Sequence, residues 1–121
     1  MKPAPPDGLS HLRITLSESA YIGPGRADLL EFIAETGSIA AAGRRMGMSY
    51  RRAWTLIKAL NEGFGPLVET SRGGSEQGGA RLTAAGEEVL RRYRHMQEET
   101  RAAIAPDVAA LRALTDRHER K

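Results

Sequence analysis

Arg51, Thr55 and Lys58 follow one another at four- and three-residue steps, with Arg52 beside the first. On a helix that spacing lines up two long cations and a hydroxyl on one face. A guanidinium can hold guanine bidentately or grip a phosphate, and only the first of these reads sequence. The chemistry offered is nucleic-acid recognition, and these residues leave open which arginine takes which role. A second group lies in Arg72-Gly73-Gly74-Ser75-Glu76-Gln77-Gly78-Gly79, after which Arg81 follows. Glycines let a backbone approach a groove or phosphate closely, and Arg72 and Arg81 flank them as backbone contacts. A plain mobile hairpin is the other reading of this loop. A nucleotide phosphate loop is excluded: Gly73 and Gly78 are correctly separated, but Gly79 and Ala80 stand where Lys and Ser or Thr are needed.

Catalytic and metal chemistry is not expected. His11, His95 and His118 lie in three separate segments, and none has another His at a helical ligand spacing. The chain contains no cysteine, which excludes disulfides and thiolate sites and suits a reducing cytoplasm. The pairs Glu87-Glu88 and Glu98-Glu99 sit among arginines and read as surface salt links, for example Glu87 with Arg91. No serine occupies a G-x-S-x-G elbow. The chain reads as a non-enzyme without cofactor.

The elements that must position the cationic face can be read outward from it. Ala53, Ile57, Leu60 and Phe64 form an opposite, apolar stripe, so a helix over about 50–63 is anchored on one side and presents cations on the other. Ser49 caps it. One turn apart on it stand Tyr50 and Trp54, Trp54 reading as core and Tyr50 as either packing or a phosphate contact. Ser38 caps the preceding helix, SIAAAGRRMG, whose Ile39, Ala42 and Met46 share a face, and Gly47 turns the chain between the two. Helix, short turn with glycine, helix is the helix-turn-helix pattern. Before it, a strand at about 11–17, a Gly23-Pro24-Gly25 turn and a helix over about 26–36 with Leu29, Leu30, Ile33 and Ala34 are expected. After it, strands at 67–71 and 80–83 enclose the glycine-rich loop as a wing.

Thr83 caps a long fourth helix with a stripe of Ala85, Val89, Tyr93, Met96, Thr100 and Ala103, widened by Leu90 and Ile104. Pro106 is expected to break it, and Asp107 to start another segment carrying Val108, Leu111 and Leu114. So long a helix exceeds what the small module needs. It is expected to dimerise through Val89, Tyr93, Met96, Thr100, Ile104, Val108 and Leu111, the alternative being a helix folded back on its own domain.

The fold class is therefore mainly α with a small β-hairpin: a winged helix-turn-helix with a long C-terminal dimerisation helix. Its expected divisions are a disordered arm at 1–10, the DNA-binding domain at 11–83 and the helical segment at 84–121. Net charge is only +3, yet residues 41–81 hold seven Lys/Arg against three Asp/Glu. That concentration is the footprint of a phosphate-binding surface, or else a solvated basic face. No signal peptide or membrane-spanning run is present, so a cytoplasmic protein without a membrane partner is expected.

GSIAAAGRRMGMSYRRAWTLIKALN, followed by GGSEQGGARLTAAGEEVL, resembles the N-terminal DNA-binding domain of the ModE family of molybdate-responsive transcription regulators. The resemblance covers about residues 11–105 and is most specific at Ser49-Tyr50 with Ala53-Trp54, then at the double-glycine wing leading to Leu82-Thr83 and Gly86. LysR-type regulators are similar in framework, but their recognition helix typically lacks that Ser-Tyr and Ala-Trp pattern. The resemblance implies a homodimer on a pseudo-palindromic operator in double-stranded DNA, with the initial strand and fourth helix as dimerisation elements. On matching positions it implies Ser49, Tyr50, Arg51, Arg52, Thr55 and Lys58 as recognition-helix contacts, and Arg72, Gly73, Gly74, Gly78 and Gly79 as backbone contacts. Ser38 and Arg81 complete the expected DNA-binding set. Full-length members also carry C-terminal oxyanion-binding domains. This sequence stops at Lys121 without them, so direct molybdate sensing is not expected of it, and a separate effector-sensing partner is left open. The alternative function is a winged-helix interaction or assembly module that does not read DNA sequence.

Overall fold

Apolar residues at helical spacing force three short helices onto one another. A computed structural model of the chain, which describes residues 4–71 and 79–120, places them as α1 (Pro24–Thr36), α2 (Ile39–Arg45) and α3 (Tyr50–Phe64). Leu29, Leu30 and Ile33 of α1, Ile39 and Ala42 of α2, and Ala53, Ile57 and Leu60 of α3 are buried in one cluster. Ala34 faces solvent instead of joining this stripe, and Ala27, one turn before Leu30, takes the core position. The helix ends are written in the sequence. Ser38 Oγ accepts the N–H of Ala41 at 3.0 Å, and Ser49 Oγ that of Arg52 at 3.0 Å. Between α2 and α3, Gly47 adopts φ +68°, a left-handed conformation costly for any residue with a Cβ. The turn is locked by Met48 N–H donating to Gly43 O at 2.9 Å.

Two antiparallel hairpins flank this trihelical unit. In the first, β1 (Ile14–Thr15) pairs with β2 (Tyr21–Ile22), Ile14 opposite Ile22. The expected strand at 11–17 thus pairs over two residues only. Its partner carried no signal, because two residues cannot display a period. In the second, β3 (Val68–Thr70) pairs with β4 (Ala80–Leu82), Glu69 opposite Arg81. Asn61 of α3 fixes where this hairpin starts. Its Oδ1 accepts from Leu67 N at 2.9 Å and Val68 N at 3.2 Å, while its Nδ2 donates to Val68 O at 3.1 Å. At the other end Ala80 N–H donates to Gly37 O at 2.9 Å, tying the wing to the end of α1.

The final element, α4 (Ala84–Glu119), is one helix with Pro106 inside it. The expected break is absent. A proline removes one backbone donor and crowds the carbonyl four residues before it, here that of Ala102, yet the helix runs on through Asp107 and beyond. Its inner face also differs from the expected stripe: Gly86, Tyr93 and Gln97 are the buried residues, whereas Ala85 and Ala103 are exposed. Tyr93 Oη donates to Leu12 O at 2.7 Å. Arg94 donates to Asp28 at 2.8 Å and Glu31 at 3.0 Å, clamping α4 to α1. The arm expected to lack order makes, over residues 4–10, a turn and several contacts to α4. Asp7 pairs with Arg101 at 2.6 Å, Pro5 O accepts from Arg112 at 3.1 Å, and Gly8 lies close against Val108. No helix among the described residues is long and apolar enough to cross a membrane.

Candidate nucleic-acid interface

The buried stripe of α3 turns the other side of the helix outward. Arg51, Arg52, Thr55 and Lys58 are all exposed, and none of the three cations has a carboxylate within ion-pairing distance among the described residues. Several other arginines are matched, Arg45 with Glu35 at 2.6 Å and Arg81 with Glu69 at 2.7 Å, whereas Arg13 and Arg26 have no carboxylate in ion-pairing distance among the described residues. Unmatched cations in a row hold a field that a polyanion can satisfy. Thr55 Oγ1 donates to Arg51 O at 3.0 Å, which leaves its lone pairs directed outward as acceptors.

Arg51, Trp54, Thr55 and Lys58 line a shallow depression of about 440 Å³. Trp54 is half-buried, part of it against the core and part along this depression. Its indole N–H donates to Tyr50 Oη at 2.6 Å, and Tyr50 remains 43% exposed. Both open readings of the pair thus meet in one contact, in which the tryptophan anchors an exposed phenol one turn away. Ser38 and Ser49 are at helix starts with their hydroxyl oxygens accepting cap bonds.

The base of the wing packs against α1 and α4. Beyond the β3–β4 ladder, Ser71 N–H donates to Gly79 O at 2.9 Å and Gly79 N–H to Ser71 Oγ at 2.7 Å. Arg81 is exposed but engaged by Glu69, so a phosphate would have to share or displace that carboxylate. Arg72, Gly73, Gly74 and Gly78 lie outside the described residues.

Of the residues expected at a dimer contact, Tyr93 is withdrawn. It is fully buried within its own chain and its hydroxyl is bonded to the Leu12 carbonyl. Burial lifts its pKa above the ordinary tyrosine value, with Asp28 adding to the rise and Arg94, Arg101 and the Gln97 hydrogen bond opposing it. Val89 and Met96 pack partly on the core, and Thr100, Ile104 and Val108 are half-buried. Leu111 is 60% exposed and Leu114, on the same distal stretch, 53%. The surface salt link formed on α4 is Glu88–Arg92 at 2.8 Å in place of Glu87–Arg91, and the Arg92 hydrogen bond holds the Glu88 carboxyl below its usual range.

One cationic cluster leaves no pattern in the sequence. The β1–β2 hairpin brings Tyr21 between the guanidiniums of Arg13 and Arg26, each 3.7 Å from the ring centroid. These three residues line a cleft with Arg52 of α3. A lone tyrosine eight residues from one arginine and five from another offered no period to detect.

Comparison with known proteins agrees with this geometry. Residues 26–87 match the family described as bacterial regulatory helix-turn-helix protein, lysR family. The molybdenum-pterin-binding protein MopA of Rhodobacter capsulatus is 46% identical over 83 residues, 68% of this chain and 31% of that protein. The molybdenum transport protein ModE of Herbaspirillum seropedicae is 46% identical over 70 residues, 57% of this chain and 26% of that protein. The DNA-binding transcriptional dual regulator ModE of Escherichia coli K12 is 36% identical over 83 residues, 68% of this chain and 32% of that protein. The chain thus spans about a third of the length of the curated relatives it matches.

Proposed function

Because the chain belongs to the lysR family of bacterial regulatory helix-turn-helix proteins and carries a ModE-like DNA-binding domain, we propose that it is a sequence-specific transcription regulator acting as a homodimer. The observation that carries this reading is the row of Arg51, Arg52 and Lys58, without a carboxylate partner among the described residues, on a helix whose opposite side is buried. A rigid helix with uncommitted cations on its N-terminal half suits insertion in a major groove. Two copies related by a two-fold axis would read a pseudo-palindrome, with half-sites about 34 Å apart or a multiple of that. Phosphate contacts come from the wing base.

The test is selection of bound genomic fragments by the purified protein at near-physiological salt, with and without molybdate. An enriched palindrome is expected. Binding without any enriched motif that vanishes as salt rises would replace this reading with that of an interaction module.

A further inference from the structure

The cleft between the β1–β2 hairpin, the start of α1 and the recognition helix has a volume of about 280 Å³. Three guanidiniums border it, from Arg13, Arg26 and Arg52, and none of the described residues lining it is acidic. Arg13 and Arg26 lie on either face of Tyr21, since both at 3.7 Å from its centroid could not share one face. Their charges are therefore no farther apart than twice that distance. Arg26 is also partly stripped of water. Its Nε is buried with no hydrogen-bond partner, and its one bond among the described residues runs from Nη1 to Tyr21 O at 3.3 Å. A desolvated cation beside a like charge is costly without an anion.

The backbone points the same way. α1 begins at the cleft, and its cap residue Gly23 supplies no side-chain hydrogen bond. Its first turn holds no acidic residue. The N–H groups of Gly25 and Arg26 fall in that first turn, where helix geometry leaves donors without partners.

We propose that this cleft is a second DNA contact, in which Arg13, Arg26 and Arg52, with the Gly25 and Arg26 amides, hold one backbone phosphate flanking the groove that α3 enters. It rests on the DNA-binding reading above. A phosphodiester fits because guanidinium forks match its oxygens and because Arg52 belongs to the recognition helix itself. The anion supplied by the duplex would be the missing counter-charge of the arginine cluster.

Gly25→Asp is the decisive variant. A Cβ there meets no atom within 4 Å, and a carboxylate in the first turn of α1 suits the helix dipole, so the fold is retained. The carboxylate would occupy the phosphate's place. On duplex DNA of arbitrary sequence at 0.15 M salt, affinity is expected to fall about five- to tenfold, and the slope of log K against log salt to shallow by about 0.9. Gly25→Ala should bind as the native chain does, and the native Gly25 and Arg26 amide resonances should shift on adding the duplex. If Gly25→Asp leaves affinity and slope unchanged while Arg51→Ala and Lys58→Ala weaken binding, this inference fails and the DNA-binding reading stands. If the native chain binds no duplex, both fail. If those amides respond to millimolar inorganic phosphate but not to DNA, the cleft takes a free oxyanion and the proposal is overturned.

Discussion

At the scale of single residues, Arg51 and Arg52 differ in what surrounds them. Arg51 lies along the depression with Trp54 and Lys58, whereas Arg52 borders the cleft beside Arg26. Arg51→Ala is therefore expected to cost on the order of 1–3 kcal/mol on the selected operator and less on random duplex, the mark of a base contact. Arg52→Ala is expected to weaken both equally, the mark of a phosphate contact, and competition binding on the two DNAs separates the cases. Tyr93 carries a prediction about pH. Burial is the main cause lifting its pKa above 10.0, so the folded state keeps a proton that the unfolded chain loses first. Its contribution is fully present below pH about 10 and is lost as pH rises toward the elevated value. Urea midpoints should fall above pH about 10. Tyr93→Phe, which leaves Leu12 O without its donor, should cost about 1–2 kcal/mol at pH 8 and flatten the alkaline fall.

At the scale of elements, one close approach sets where the wing and α4 stand. A Cβ on Gly86 would overlap the Leu67 carbonyl, so the first turn of α4 can lie on the start of the wing only with glycine there. Thr83 completes the join, its Oγ1 donating to Pro66 O at 2.7 Å and accepting from Gly86 N at 3.0 Å. Gly86→Ala should destabilise by about 1–3 kcal/mol through this overlap, read as a lower thermal midpoint. The same reasoning explains why a glycine follows Leu82-Thr83 at a fixed distance. The sequence pattern displayed the residue without displaying the carbonyl that requires it.

At the scale of the whole molecule, the trihelical unit, the wing base and the inner half of α4 share one core, and the distal third of α4 does not. From residue 109 onward every described residue is exposed, including Leu111 and Leu114. Apolar residues repeated along an otherwise polar helix favour a second surface, and the proposed dimer supplies one. Leu111→Asp with Leu114→Asp should leave the thermal midpoint within about 0.5 kcal/mol equivalent of the native chain when measured as monomer. Sedimentation should move to monomer mass, and the operator should then bind as a half-site. Unchanged mass would remove these leucines from the dimer contact and return it to Val89, Met96, Thr100 and Ile104.

Local chemistry was legible without coordinates wherever one residue decides the outcome. Ser38, Ser49 and Thr83 as caps, Gly47 as the turn, and the two faces of α3 follow from side-chain hydrogen bonding, backbone sterics and helical period. What the sequence alone misjudged was decided by neighbours distant along the chain. Ala34 lost its core place to Ala27, and Tyr93 turned inward to the Leu12 carbonyl. The arginine cluster around Tyr21 was hidden for the same reason. Its members stand on a hairpin, a helix start and the recognition helix, and only tertiary packing brings their charges to one cleft, because charge acts through space and periodicity records only position along a single element.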